Sequence, residues 1–124
     1  MSSERILLLA NIFNTQLSKF LQSNETRTWI YFNPYGRVYL RKGHHLINGK
    51  IKKTLDIASI EIETAYQENG LGTFIIDTIH SIHDEELTYI ENILTNRFHS
   101  KLCKIGWISI EGLEPPCVYK VKKV

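Results

Sequence analysis

Across residues 4–22 the apolar positions Leu9, Ile12, Phe13, Leu17, Phe20 and Leu21 recur at steps of three and four, with polar residues between them. That spacing predicts an amphipathic helix with Ser2 or Ser3 available as its N-cap. After the polar break Ser23-Asn24-Glu25, the run Thr28-Trp29-Ile30-Tyr31-Phe32 is β-branched and aromatic, and Asn33-Pro34-Tyr35-Gly36 supplies turn chemistry before residues 37–41. This predicts a hairpin. A second break at Asn48-Gly49 leads into residues 50–63, where Ala58, Ile60 and Ile62 alternate with Ser59, Glu61 and Glu63 in the period of a half-buried strand. Extended backward, the same alternation places Asp56 in phase with the apolar side.

A second helix begins at Gly70 or Leu71 and ends near Glu85, with Leu71, Phe74, Ile75, Ile79 and Ile82 on one stripe and Asp77, His80, His83 and Asp84 off it. Residues 87–93 read as a short strand, 96–105 as a helix closed by Gly106, and 107–110 as another strand. Glu114-Pro115-Pro116 then turns the chain into a last strand over 117–121. There is no internal repeat and no low-complexity tract. The order describes an α+β domain, a mainly antiparallel mixed sheet flanked by helices with a central β-α-β unit. At 124 residues, the whole chain is expected to form one domain, 1–124.

Composition narrows the partners. Fifteen basic against thirteen acidic residues, a net charge of +2, give no specific signal for nucleic acid. Cys103 and Cys117 fit neither a disulfide framework nor a zinc spacing, so reduced thiols and a cytoplasmic location are expected. The N-terminal apolar run, Ile6 to Ala10, is too short and too polar-flanked for a signal peptide or a membrane span.

The chemistry concentrates in Gln67-Glu68-Asn69-Gly70-Leu71-Gly72-Thr73, a Q-x-x-G-x-G run between a strand and a helix. Backbone N–H groups freed of nearby Cβ atoms at a helix N-terminus make a cradle for phosphate or pyrophosphate. No Gly-Lys-Ser or Gly-Lys-Thr follows, which excludes a P-loop. His80 and His83 have i, i+3 spacing but no third ligand at a fixed distance, so they are assigned to a polar helix face and no metal site is expected. His44 and His45 are assigned to the surface. Cys103 has no His or Asp partner at an interpretable spacing, which argues against a cysteine nucleophile. Trp29, Tyr31, Phe32, Tyr35 and Tyr39 suit either an acceptor pocket or a core hairpin.

The element order, the Gln67 to Gly72 run, and Ile90-Glu91-Asn92-Ile93-Leu94 followed by Lys104-Ile105-Gly106-Trp107 resemble the GNAT superfamily of acyl-CoA-dependent N-acyltransferases over roughly residues 50–121. The resemblance implies acetyl-CoA as co-substrate. Ile60, Glu61 and Ile62 would then hold the pantetheine arm and thioester carbonyl, Gln67, Glu68, Asn69, Gly70, Leu71, Gly72 and Thr73 the pyrophosphate, and Asn92 the pantetheine amides. Asn92 equally suits a local cap. Arg97, Lys101 and Lys104 suit either the cofactor's 3′-phosphate or a solvent face.

Asp56, if desolvated, is a candidate general base with a raised pKa, and Glu61 is a second candidate carboxylate on the opposite side of the strand. Leu102 stands where many members carry a tyrosine general acid, and it has no proton to give. Two functions follow from the resemblance: transfer of an acetyl group to an amine on a small molecule or protein, or binding of acyl-CoA or a protein partner as a regulatory factor, host- or virus-directed, with impaired catalysis. A homodimer through the C-terminal strands suits the fold.

Overall fold

The structure, a computed structural model, describes residues 3–67, 70–93 and 95–122. The elements run α1 (Ser3–Gln22), β1 (Arg27–Tyr31), β2 (Gly36–Ile47), β3 (Lys50–Ile62), a 3-10 turn (Thr64–Tyr66), α2 (Leu71–Ile82), β4 (Leu87–Ile90), α3 (Asn96–Lys104), β5 (Ile108–Ile110) and β6 (Cys117–Val121). The strands form one six-stranded sheet in the order β1-β2-β3-β4-β6-β5. All neighbours are antiparallel except β3 and β4, which are parallel and joined through α2. This is the mixed α+β sheet with a central β-α-β unit that the sequence pattern predicts.

Local chemistry explains the boundaries. The β2–β3 hairpin closes on Asn48 (φ 50°) and Gly49 (φ 81°), both in the left-handed region that a two-residue turn of this twist requires. α3 starts where the Thr95 hydroxyl accepts the Phe98 N–H at 3.2 Å. The strand expected over residues 87–93 stops at Ile90, because Asn92 has φ 54° and turns the chain out of the ladder.

All three helices pack on one face of the sheet. Strand partners share a face, so Lys42, Leu40, Ile57, Ile90, Thr88, Val118 and Ser109 lie on the same side. Lys42 reaches Ser23 and the Phe20 ring of α1, Thr88 bonds His80 and His83 at the end of α2, and Ser109 bonds His99 of α3. Leu9, Phe13, Leu17 and Phe20 of α1 and Leu71, Ile75, Ile76 and Ile79 of α2 are buried in that layer. Ile12, on the helical stripe in the sequence, is instead exposed. Among the described residues no helix covers the other face, where Ile47, Leu87, Tyr89, Cys117 and Tyr119 bury one another in a smaller cluster. Among the described residues no helix is long and apolar enough to cross a membrane.

Candidate functional site

β3 and β4 are paired only from Thr54–Leu87 to Ile57–Ile90, and β3 continues alone on that side through residues 58–62. The Glu91 N–H still donates to Ile57 O at 3.1 Å, but the Ile93 N–H turns to Pro116 O at 2.9 Å. The strands therefore splay into a wedge. Its β3 edge is residues 58–62, which include Ile60, Glu61 and Ile62, and exposed Asn92 stands at its β4 side.

Beyond the wedge the chain passes through the loop to α2. Gln67 donates its side-chain amide to Ile62 O at 2.9 Å and its backbone N–H to Thr64 O at 3.4 Å, so it shapes the loop. Glu68 and Asn69 lie outside the described residues. Gly70 is the N-cap of α2 at φ 84°, and it brings no side chain to the helix terminus. Nothing lies within 4 Å of a Cβ built on Gly70, and one on Gly72 meets only the Phe98 ring at 3.8 Å. The Leu71 side chain is buried in the core. The Thr73 hydroxyl oxygen is buried without a hydrogen-bond partner among the described residues. Open space over glycine backbone, a helix N-terminus and an orphaned hydroxyl fit a polar ligand such as a pyrophosphate.

Asp56 is buried, but not on the side the alternation indicated. Tyr39 pairs with Ser59 and Leu40 with Ile57, so Ala58 is bulged out and the phase of β3 reverses across it. Ile60 and Ile62 pack with the helices, whereas Asp56 points to the helix-free face at the apex of the wedge. There its Oδ1 accepts from the Thr54 hydroxyl at 2.6 Å, and its Oδ2 accepts from Arg41 at 3.3 Å and from His45 Nε2 at 2.9 Å. Arg41 also pairs with Glu91, and the His45 ring lies flat on Tyr89, with centroids 3.6 Å apart. His45 is therefore part of this cluster and not a free surface residue.

Gly43 makes the cluster possible. It lies between Arg41 and His45 on the same face of β2, and a Cβ there would stand 2.8 Å from Asp56 Oδ2. The ligand atoms of His45, Asp56 and Glu91 all lie within 4.8 Å of one another. The Arg41 guanidinium already bonds both carboxylates, so the cation that holds them together is a side chain.

Glu61, on the same helix-free face, pairs with Arg37 at 2.6 Å and is half exposed. Arg37 lies over the Trp29 ring, which packs against Tyr39 at 4.9 Å. The hairpin aromatics thus divide, because Phe32 and Tyr35 are buried in the core, where they meet Phe13 and Tyr66 edge-on.

Two other expectations are corrected. His80 and His83 turn inward, with His80 Nδ1 at 2.7 Å and His83 Nε2 at 2.5 Å from the buried Thr88 hydroxyl. Burial above all, then the nearby Lys122 ammonium, lowers His80 to about 4 and His83 to about 3. Cys103 does have a histidine neighbour. His99, one helical turn earlier, brings Nε2 to 3.8 Å from Cys103 Sγ while bonding Ser109 at 2.9 Å. Both cysteines are free thiols. Leu102 is fully buried in the core. Arg97, Lys101 and Lys104 are exposed on α3. A separate cleft of about 630 Å³, lined by residues including Ile47, Lys50, Lys52, Leu87 and Tyr119, lies at the opposite end of β3 from the wedge.

No protein-family model matches the sequence, and no curated protein matches it. Solved structures do resemble it. A mutant of the toxin AtaT, bound to the C-terminus of the antitoxin AtaR and acetyl-CoA, superposes with a TM-score of 0.56 at 14% identity, over 71% of this chain. The chain spans 59% of the length of that AtaT chain. The KacTA–DNA complex gives a TM-score of 0.60 at 11% identity, over 90% of this chain and 78% of the other. Arabidopsis thaliana Naa50, in complex with the bisubstrate analogue CoA-Ac-MVNAL, gives 0.50 at 13% identity, over 100% of this chain and 95% of the other. The chain has the GNAT superfamily fold, as its motifs imply.

Proposed function

We propose that this protein is an acyl-CoA-dependent N-acetyltransferase that moves an acetyl group from acetyl-CoA to an amine on a small molecule or protein. The observation that carries this reading is the β3–β4 wedge opening beside the glycine-rich N-terminus of α2. The β3 edge at Ile60, Glu61 and Ile62 receives the pantetheine arm and the thioester, with Asn92 facing it across the wedge. The backbone at Gly70, Leu71 and Gly72 and the Thr73 hydroxyl receive the pyrophosphate, together with Glu68 and Asn69. AtaT with acetyl-CoA and Naa50 with a CoA bisubstrate analogue support the choice of donor. Free thiols suit a cytoplasmic enzyme. Positioning of the thioester and amine supplies much of the rate effect.

The thermal midpoint with and without acetyl-CoA tests the proposal. A ligand at 100 times its Kd stabilises a protein by about 2.7 kcal/mol. An unchanged midpoint at millimolar acetyl-CoA removes the reading, and a rise followed by thiol release with an amine panel supports it.

One observation favours a second reading. Leu102 is buried and offers no proton to a departing thiolate, which suits a protein that binds acyl-CoA and acts on a partner without turnover. Stabilisation by acetyl-CoA without thiol release, across peptide and small-molecule amines, selects that alternative. Pairing through the short edge strand β5, where Ile108 is exposed, is the proposed route to a homodimer.

A further inference from the structure

The net charge of +2 conceals a segregation. From residue 26 to residue 55 the chain carries seven lysines and arginines and no aspartate or glutamate, whereas the rest carries eight basic against thirteen acidic residues. Arg37 and Arg41 are already paired with Glu61, Asp56 and Glu91, and Lys42 is turned to Ser23 O and the Phe20 ring. Apart from Arg27, the remaining cations of this stretch, Lys50, Lys52 and Lys53, sit together near the tip of the β2–β3 hairpin.

That hairpin outruns the sheet. β1 accompanies β2 only as far as Arg41, with a last bond from the Lys42 N–H to Thr26 O at 2.7 Å, and β4 joins β3 only from Thr54. Residues 43–53 therefore project as a two-stranded arm, about 15 Å long at the usual rise of a strand. Register partners share a face, so His45, Ile47, Lys50 and Lys52 lie on the helix-free side and His44, Leu46, Ile51 and Lys53 on the other. The cross-strand pair Leu46 and Ile51 is 70% and 73% exposed. Asp56 and Glu86 meet the arm at His45 and Lys52, toward its root, while Lys50 and Lys53 are exposed. Lys50 and Lys52 also line the cleft of about 630 Å³ beside the arm, together with Lys122.

We propose that this arm is a DNA-binding ribbon. Lys50, Lys52 and Lys53 contact phosphates on the two sides of a duplex groove, and the Leu46–Ile51 pair lies against the sugars and base edges between them. A two-stranded ribbon is of a size that the major groove of B-form DNA admits, whereas the major groove of duplex RNA is too narrow for it. Cations on both faces of the arm match phosphates on both walls of a groove. A membrane-inserting hairpin would instead gather its lysines behind an apolar tip, and this tip is Asn48-Gly49. An apolar pair standing exposed among cations is the kind of wedge that DNA-bending proteins press against base steps. The arm lies at the opposite end of β3 from the wedge, so this surface is separate from the acetyl-CoA site and does not depend on it.

Fluorescence anisotropy of a labelled DNA duplex, titrated with the full chain, tests the proposal. Three phosphate contacts predict affinity that falls about 40-fold between about 50 and 200 mM salt. The combined variant Lys50→Gln, Lys52→Gln and Lys53→Gln should lose binding at the lower salt, whereas Lys19→Gln, at an exposed lysine of α1, should keep it. Lys50→Gln alone, beside the exposed turn, should lower the salt slope by about one. Leu46→Ser with Ile51→Ser should weaken binding several-fold and leave the salt slope as it is. All these variants should keep the midpoint of the parent protein and whatever shift acetyl-CoA gives it. Absence of binding at the lower salt, an equal loss in Lys19→Gln and the combined variant, or tighter arm-dependent binding to duplex RNA or to phosphatidylserine vesicles overturns the proposal.

Discussion

His83 and Thr88 are locked in a hydrogen-bond chain that admits only one direction. His83 Nδ1 accepts the Glu85 N–H at 3.0 Å, so its Nε2 carries the hydrogen donated to the Thr88 hydroxyl. That hydroxyl in turn donates to His80 Nδ1, and both rings must be neutral for the chain to close.

Acid should therefore loosen this protein from a higher pH than its carboxylates alone dictate. Both histidines are lowered in the folded state, to about 4 and about 3, against 6.5 in the unfolded chain. Above pH 6.5 neither state binds these protons and the stabilisation is fully present. As pH falls the unfolded chain binds protons that the native state refuses, so stability declines from pH 6.5 through about 4 and on to about 3. Urea midpoints measured from pH 7 to pH 4 check this. His83→Gln should start less stable at pH 7 and show a flatter slope, and equal slopes would contradict the account.

Gly43→Ala tests the buried charge cluster. The new Cβ would stand 2.8 Å from Asp56 Oδ2, so the carboxylate must swing away from Arg41 and His45. A loss of about 1–3 kcal/mol is expected, as for other disrupted buried networks. Chemical denaturation measures it, and a neutral or stabilising effect would mean that the cluster yields more easily than its packing indicates.

Gly72→Glu separates binding from folding. A Cβ at this position meets only the Phe98 ring among the described residues, and a carboxylate in the first turn of a helix is favourable, so the ligand-free midpoint should hold or rise slightly. On the proposed reading, the shift produced by acetyl-CoA should vanish, because the carboxylate would occupy the proposed pyrophosphate position and repel the ligand there. A retained shift would move that site elsewhere.

Phe13→Ala should cost about 3–5 kcal/mol, the usual range for a fully buried phenylalanine. Phe13 is completely buried and meets the Phe32 ring edge-on at 5.8 Å, so its loss opens the α1–sheet contact. A measured loss below about 1 kcal/mol would show that α1 is held mainly by its other contacts.

The fold was legible wherever periodicity ran unbroken. The α1 stripe, the Asn48-Gly49 turn, the helix beginning after Gly70 and the closing strand Cys117–Val121 each carry local signals strong enough to stand without tertiary context. The loop motif and the Gly106-Trp107 pair were likewise sufficient to indicate the superfamily fold. The charge cluster was not legible, because one bulged residue, Ala58, reverses the strand phase and no residue type announces a bulge. A usable signal did exist in Arg41, Gly43 and His45, which alternate along one strand with a glycine where the opposing carboxylate needs room. The inward turn of His80 and His83 is not legible, because helical spacing reports a stripe but not a buried hydroxyl on the neighbouring strand. The i, i+4 spacing of His99 and Cys103 is itself a sequence signal for their contact.

The parallel seam between β3 and β4 also governs how the chain is knitted together. On one side of it stand β1, β2 and β3, all from residues 27–62, and on the other β4, β6 and β5, all from residues 87–121. Each half zips up from antiparallel neighbours close in sequence, whereas the seam must bring Thr54–Ile57 to Leu87–Ile90 across the whole of α2. The closure that completes the sheet is the same one that creates its gap, so an intact wedge is a report that both halves have met in register.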